Sequence, residues 1–193
     1  MKRKLKKLAV LASGNGTTLQ AIIDAIDDMK LDSTINIVIS NNKDAYALER
    51  AKKANIKTYV LNDFKDENEL YQTLKESDVD LVILAGYLKL IPKSVIKDFI
   101  IINTHPALFP KYGGKGMYGM YVHRAIVENK EKETGVTLHF VNEEYDKGKI
   151  IAQTKVKVFK DDTPEDVSTR VQKAEKIQLV DALKDFSEGN IKI

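Results

Sequence analysis

The chain has 193 residues, enough for one sizeable hydrophobic core, and its 43% hydrophobic and 31% charged residues with a mean hydropathy of −0.30 are the balance of a folded globular protein. A net charge of +3 is what remains of 31 basic against 28 acidic side chains that intermingle along the chain, so nothing demands a nucleic acid, and no apolar run is long enough to span a bilayer. Zero cysteines exclude a disulfide framework, a thiolate metal site and a cysteine nucleophile together.

The basic start Met1–Lys7 has no interleaved aromatics to stack on bases and no signal-peptide cleavage pattern after it, so it is read as a solvated lead-in to the first strand. The expectation is a cytoplasmic protein that binds neither nucleic acid nor membrane. Leu8–Ala12 is a short apolar run ending in Ser13-Gly14-Asn15-Gly16, the way a buried parallel strand enters a turn. Leu19, Ile22, Ile23 and Ile26 then fall on one face of an amphipathic helix. The alternation continues with a strand over 35–40, a helix over 45–54, a strand over 57–61, a helix over 67–76 and a fully apolar strand over 80–86. After Pro92 a short helix leads to Phe99-Ile100-Ile101-Ile102. Strands alternating with helices predict an α/β fold, a doubly wound, mostly parallel sheet with helices on both faces.

The second half changes character. Residues 108–121, rich in Gly, Pro and Tyr, are expected to form a long loop leading to a helix over 122–129, and loops of that length inside a compact domain are usually functional. Two more strands are expected over 135–141 and 150–159. The last helix should start at Thr163 as N-cap with Pro164 first inside it, and run to about Phe186. No repeat or linker divides the chain, so a single domain over 1–193 is expected, its N-terminal part about 1–100 and its C-terminal part about 101–193.

Three segments carry residues suited to chemistry. Ser13-Gly14-Asn15-Gly16-Thr17-Thr18 lies between a strand and its helix, where free backbone N–H groups favour an anion such as phosphate; a plain tight turn needing glycine explains it as well. Position 19 is Leu and the second strand ends in Ser40-Asn41-Asn42 with no ribose-binding acid, which disfavours NAD. Asn103-Thr104-His105-Pro106 follows the fifth apolar run, and alternation places Asn103 and His105 on one side, an amide and an imidazole that could polarise a carbonyl and handle an amine's proton. A turn-capping Asn beside a partly buried His is the other reading. Asp146, in the polar loop Asn142–Gly148, is the acid that could orient His105. His123 and His139 match no metal spacing, and no metal is expected.

These segments together resemble the folate-dependent formyltransferases, and among them the phosphoribosylglycinamide formyltransferases. The resemblance runs from Leu8 to about Leu183 and rests on Ser13–Gln20, Ser40-Asn41 with Ala47–Ala51, Leu84–Leu88, Asn103–Pro110 and Tyr145–Gly148. It implies a Rossmann-like formyltransferase fold, with 10-formyltetrahydrofolate as cosubstrate and glycinamide ribonucleotide as the amine that is formylated in purine synthesis. It further implies that Asn15, Gly16, Thr17 and Thr18 hold the substrate phosphate with Glu175 near the ribose. Leu88, Lys89, Leu90, Ile91 and Asn103, with Asn142, Glu143, Glu144, Tyr145 and Asp146, would bind the folate. Asn103, His105 and Asp146 match the family's catalytic trio, with protonated His105 and Asn103 stabilising an oxyanion. Small-molecule substrates and a monomer or weak homodimer are implied. The chain departs from the family pattern at Glu67 and Lys89, at Gly113-Gly114, and after Glu175. The alternatives are a sugar-nucleotide or other amine N-formyltransferase, or a non-catalytic nucleotide-binding module. A cis Phe109–Pro110 peptide is also expected.

Overall fold

The structure is a computed structural model that describes residues 4–63 and 66–191; the first three residues of the basic lead-in lie outside the described residues. Its elements in chain order are β1 (Lys7–Leu11), α1 (Thr17–Asp27), β2 (Thr34–Ser40), α2 (Tyr46–Lys53), β3 (Thr58–Val60), α3 (Glu67–Glu76) and β4 (Leu81–Leu84). They continue with α4 (Lys93–Asp98), β5 (Ile101–His105), α5 (Met120–Glu128), β6 (Glu133–Phe140), β7 (Ile150–Lys157) and α6 (Pro164–Glu188). The strands form one seven-stranded sheet in the order β3-β2-β1-β4-β5-β6-β7. The chain winds outward from β1 to β3 and then returns to place β4 against the other side of β1. With right-handed crossovers, that reversal puts the helices of the two halves on opposite faces, the doubly wound arrangement expected from the sequence. β1 is parallel to β2 and to β4, β2 is parallel to β3, and β6 is antiparallel to β7.

The described residues fall into two compact units, one up to Ile102 together with the segment from Val180 onward, the other Asn103–Leu179. In the first, β1 and β4 are buried along nearly their whole length, as strands covered on both faces must be. The amphipathic α1 buries Leu19, Ile22 and Ile23; Ile26, expected on the same face, is only half-buried, and Ala25 takes the fully covered place. The N-terminal segment is tied to the end of α6 by the Leu5 N–H, which donates to the Phe186 carbonyl at 3.1 Å.

In the second unit a core of Ala107, Val122, Ile126, Val136, Val156, Val167 and Val171 lies between the β6–β7 hairpin, α5 and the first turns of α6. α6 begins as expected: Thr163 Oγ1 accepts from the Asp166 N–H at 3.2 Å, and the Asp166 carboxylate accepts from the Thr163 N–H at 2.9 Å, a reciprocal cap. Several boundaries differ from the sequence reading by a few residues, and two of them bear on the site. Asn103, Thr104 and His105 continue β5 and do not follow it, because ladder bonding carries a strand beyond its apolar run. The long loop ends earlier, since Met120 and Tyr121 already belong to α5. The Phe109–Pro110 peptide is cis, as expected.

Candidate active site

In the first unit, the loop after β1 runs directly into α1. Gly16 occupies the left-handed region (φ 72°, ψ 29°), and a Cβ there would lie 2.7 Å from Ala47 Cα, so only glycine lets the loop rest on α2. No side chain caps α1 and its first turn carries no acidic residue, which leaves its positive end for an anion. Asn15 is exposed, and Thr17 and Thr18 are half-buried at this helix start. Ser13 locks the loop to its neighbours: its hydroxyl donates to Asn41 Oδ1 at 2.6 Å and accepts from the Leu88 N–H at 3.1 Å, and its N–H donates to the Gly86 carbonyl at 3.2 Å. In the segment after β4, Leu88 and Leu90 expose 60% and 56% of their surface while Ile91 is buried and Lys89 half-buried.

In the second unit, Asn103, His105, His139 and Asp146 converge. Alternation along β5 sends Asn103 and His105 to one face and Thr104 to the other, where its hydroxyl donates to Glu175 Oε1 at 3.0 Å. Glu175 is thus held by Thr104, away from the face of the trio. The Asp146 carboxylate lies 3.5 Å from His105 Nδ1 and 3.7 Å from His139 Nε2, and it accepts the Gly114 N–H at 2.7 Å. Asp146 sits in the left-handed region (φ 55°), uncommon for a residue with a Cβ and concentrated at sites where surrounding contacts enforce it. The rest of its loop, Asn142, Glu143, Glu144 and Tyr145, is exposed. Gly148 lets that loop return across β6, for a Cβ there would lie 1.6 Å from the Phe140 carbonyl oxygen.

The hydrogen bonds assign the ring protons. His105 Nε2 is 2.7 Å from the Tyr112 carbonyl, which can only accept, so Nε2 carries hydrogen; Nδ1, facing Asp146, gains one only in the imidazolium form. His139 Nδ1 donates to the Phe140 carbonyl at 2.9 Å, and its Nε2 then accepts from the Asn103 amide at 3.2 Å. Burial holds the His105 pKa below its ordinary value, against the opposing pull of Asp146 and the Tyr112 carbonyl. Burial likewise depresses His139, and it pushes His123 down to about 4 with help from the nearby His105. The neutral ring is therefore the resting form of His105. No group of three or more metal-ligating side chains capable of holding an ion occurs among the described residues.

Sequence reasoning missed several members of this site. His139 was weighed only as a metal ligand, yet it orients Asn103. The Phe109 ring lies between His105 (4.9 Å between centroids) and His139 (5.1 Å). Thr137 braces the turn after β5: its hydroxyl donates to the Ala107 carbonyl at 2.7 Å and accepts from the Phe109 N–H and from Gln153. The available signal was the period of two in β6, which puts Gly135, Thr137 and His139 on one face.

Comparison with known proteins follows the same lines. The formyl transferase family model matches residues 6–183. The phosphoribosylglycinamide formyltransferase of Haemophilus influenzae is 41% identical over 98% of this chain and 91% of its own length. The chloroplastic phosphoribosylglycinamide formyltransferase of Arabidopsis thaliana is 40% identical over 97% of this chain and 67% of its own. The crystal structure of glycinamide ribonucleotide transformylase 1 from Symbiobacterium toebii superposes with a TM-score of 0.90 at 34% identity, covering 98% of this chain and 91% of that one.

Proposed function

Because this chain belongs to the formyl transferase family, we propose that it transfers the formyl group of 10-formyltetrahydrofolate to the amine of glycinamide ribonucleotide, giving formylglycinamide ribonucleotide and tetrahydrofolate. The observation that carries the reading is the convergence of Asn103, His105 and Asp146 on one cluster, with His139 setting the Asn103 amide.

The amine nitrogen attacks the formyl carbon, a C–N bond forms, and charge develops on the formyl oxygen. Asn103 keeps its second amide N–H for that oxygen. His105, neutral at rest, accepts the proton the amine loses at Nδ1, and Asp146 beside that nitrogen supports the imidazolium while it stabilises the oxyanion. Its proton then passes to the departing folate nitrogen as the old C–N bond breaks, which restores the neutral ring. Gly16, Thr17 and Thr18, with Asn15, would bind the ribonucleotide phosphate. Glu175, with Thr104 beside it, would meet the ribose. Leu88–Ile91 and the Asn142–Asp146 loop would bind the folate, whose carrier nitrogen supplies the formyl group.

We also expect a cytoplasmic enzyme, a monomer or weak homodimer, acting on small molecules and not on nucleic acid; no helix among the described residues is long and apolar enough to cross a membrane.

An absorbance assay with glycinamide ribonucleotide and 10-formyltetrahydrofolate, run beside His105→Ala, tests the reading. Loss of one acid–base group and of oxyanion support should lower kcat by roughly a hundredfold or more with the fold intact. Near-normal turnover in the variant would sink the site assignment, and no turnover in the parent would move the acceptor to another amine.

A further inference from the structure

We infer that Arg50 is a positioning residue for the ribonucleotide: it holds the loop after β1 so that successive backbone N–H groups face the phosphate. The inference rests on the reading of Ser13–Thr18 as the phosphate anchor. Arg50 lies in α2, outside every segment assigned to a ligand above, yet its guanidinium spends three contacts on that loop and the helix it opens. Its Nε–H donates to the Asn15 carbonyl at 2.9 Å, one terminal nitrogen donates to Asn15 Oδ1 at 3.2 Å, and the other to Gln20 Oε1 at 3.0 Å. One turn back, the Ala47 N–H donates to the Gly14 carbonyl at 3.1 Å. The Tyr46 ring lies 4.9 Å from the guanidinium carbon and narrows its freedom.

The consequence follows from peptide geometry. In a trans peptide the C=O of one residue and the N–H of the next point in opposite directions. When Ala47 grips the Gly14 carbonyl, the Asn15 N–H turns away from α2; when Arg50 grips the Asn15 carbonyl, the Gly16 N–H turns away as well. Gly16 in the left-handed region continues the concavity into the start of α1, which no side chain caps. Consecutive N–H groups arranged this way form an anion-binding nest, here shaped from behind by one side chain. A lysine cannot replace it, since a single ammonium lacks the planar fork that reaches Asn15 and Gln20 at once.

The experiment compares the unaltered chain with Arg50→Ala and Arg50→Lys in steady-state kinetics, varying ribonucleotide and formyl donor separately, with thermal midpoints alongside. We expect the KM for the ribonucleotide to rise about tenfold to a hundredfold in both variants, the scale of lost charge-assisted hydrogen bonds, while the KM for the donor holds. An unchanged ribonucleotide KM, an equal rise in both KM values, or full rescue by lysine would overturn the inference. Should Arg50→Ala not fold, Arg50→Lys carries the comparison alone. If the unaltered chain does not turn over the ribonucleotide, the acceptor assignment is what has failed, and calorimetric titration with ribose 5-phosphate decides for the loop. Weaker binding to Arg50→Lys than to the parent supports it; equal binding, or none to the parent, refutes it.

Discussion

Asn103 carries two donors and an acceptor on a rotatable amide, and by itself nothing in β5 sets which way it faces. His139 decides this. With its Nδ1 hydrogen committed to the Phe140 carbonyl, its Nε2 can only accept, so the NH2 group of Asn103 must turn toward it. The second N–H is then aimed by a neutral ring 36 residues away in sequence. His139→Leu removes the acceptor and frees the amide, so kcat should fall by about tenfold to a hundredfold, in the range of a lost oxyanion donor. Combined with Asn103→Ala, the two losses should be far from multiplicative because they act on one interaction. A double variant whose loss equals the product of the singles would show that His139 acts independently of Asn103.

The β6–β7 hairpin is the element that delivers His139, Thr137 and the Asp146 loop together. Its strands pair antiparallel from Glu133↔Lys157 to His139↔Ile150, with an irregularity between Leu138 and His139 close to the site. Bulges of this kind re-aim side chains near functional groups. Gly135 keeps the pair close: a Cβ there would lie 2.1 Å from the Thr154 carbonyl oxygen and 2.6 Å from Leu108 Cδ2, and backbone cannot yield as a side-chain tip can. Gly135→Ala should therefore destabilise the fold by roughly 2 kcal/mol or more, an overpacking cost, read as a lower midpoint in urea. A midpoint within error of the parent would mean the hairpin tolerates being opened there. The same element shows the reach of the sequence. Its two strands and the polar connection between them were legible from composition and turn residues. The role of Thr137 was not, because a threonine in a strand is ordinary until the Ala107 carbonyl and the Phe109 N–H are found against it.

Across the whole molecule, all three histidines are buried and all three are shifted in the same direction. Burial, with a smaller push from His105, lowers the His123 pKa from 6.5 to about 4, and its Nδ1 has no hydrogen-bond partner. Between those values the unfolded chain binds a proton that the folded chain refuses. Stability is thus fully present above about pH 6.5 and declines as the pH falls toward about 4, with His105 and His139 adding losses of the same sign. His123→Leu removes both the titration and an unsatisfied buried nitrogen. Its unfolding free energy, measured by denaturant titration at a series of pH values, should fall less steeply over that window than the parent's. A parallel pair of curves would show that His123 takes no part.

The amino-acid sequence by itself determined the alternation of strands and helices, the glycine turn after β1, the capped start of α6 and the segments bearing Asn103, His105 and Asp146. These are properties of local periodicity, turn chemistry and motif, which a chain expresses within ten or twenty residues. Only the tertiary structure decided that His139 serves Asn103, that Arg50 grips the loop before α1, and that Glu175 is paired with Thr104 on the far face of β5. A periodic pattern says which face of an element a side chain occupies, not which distant partner it meets. That choice belongs to strand order and register, and to the requirement that every polar group carried into the interior find its complement there.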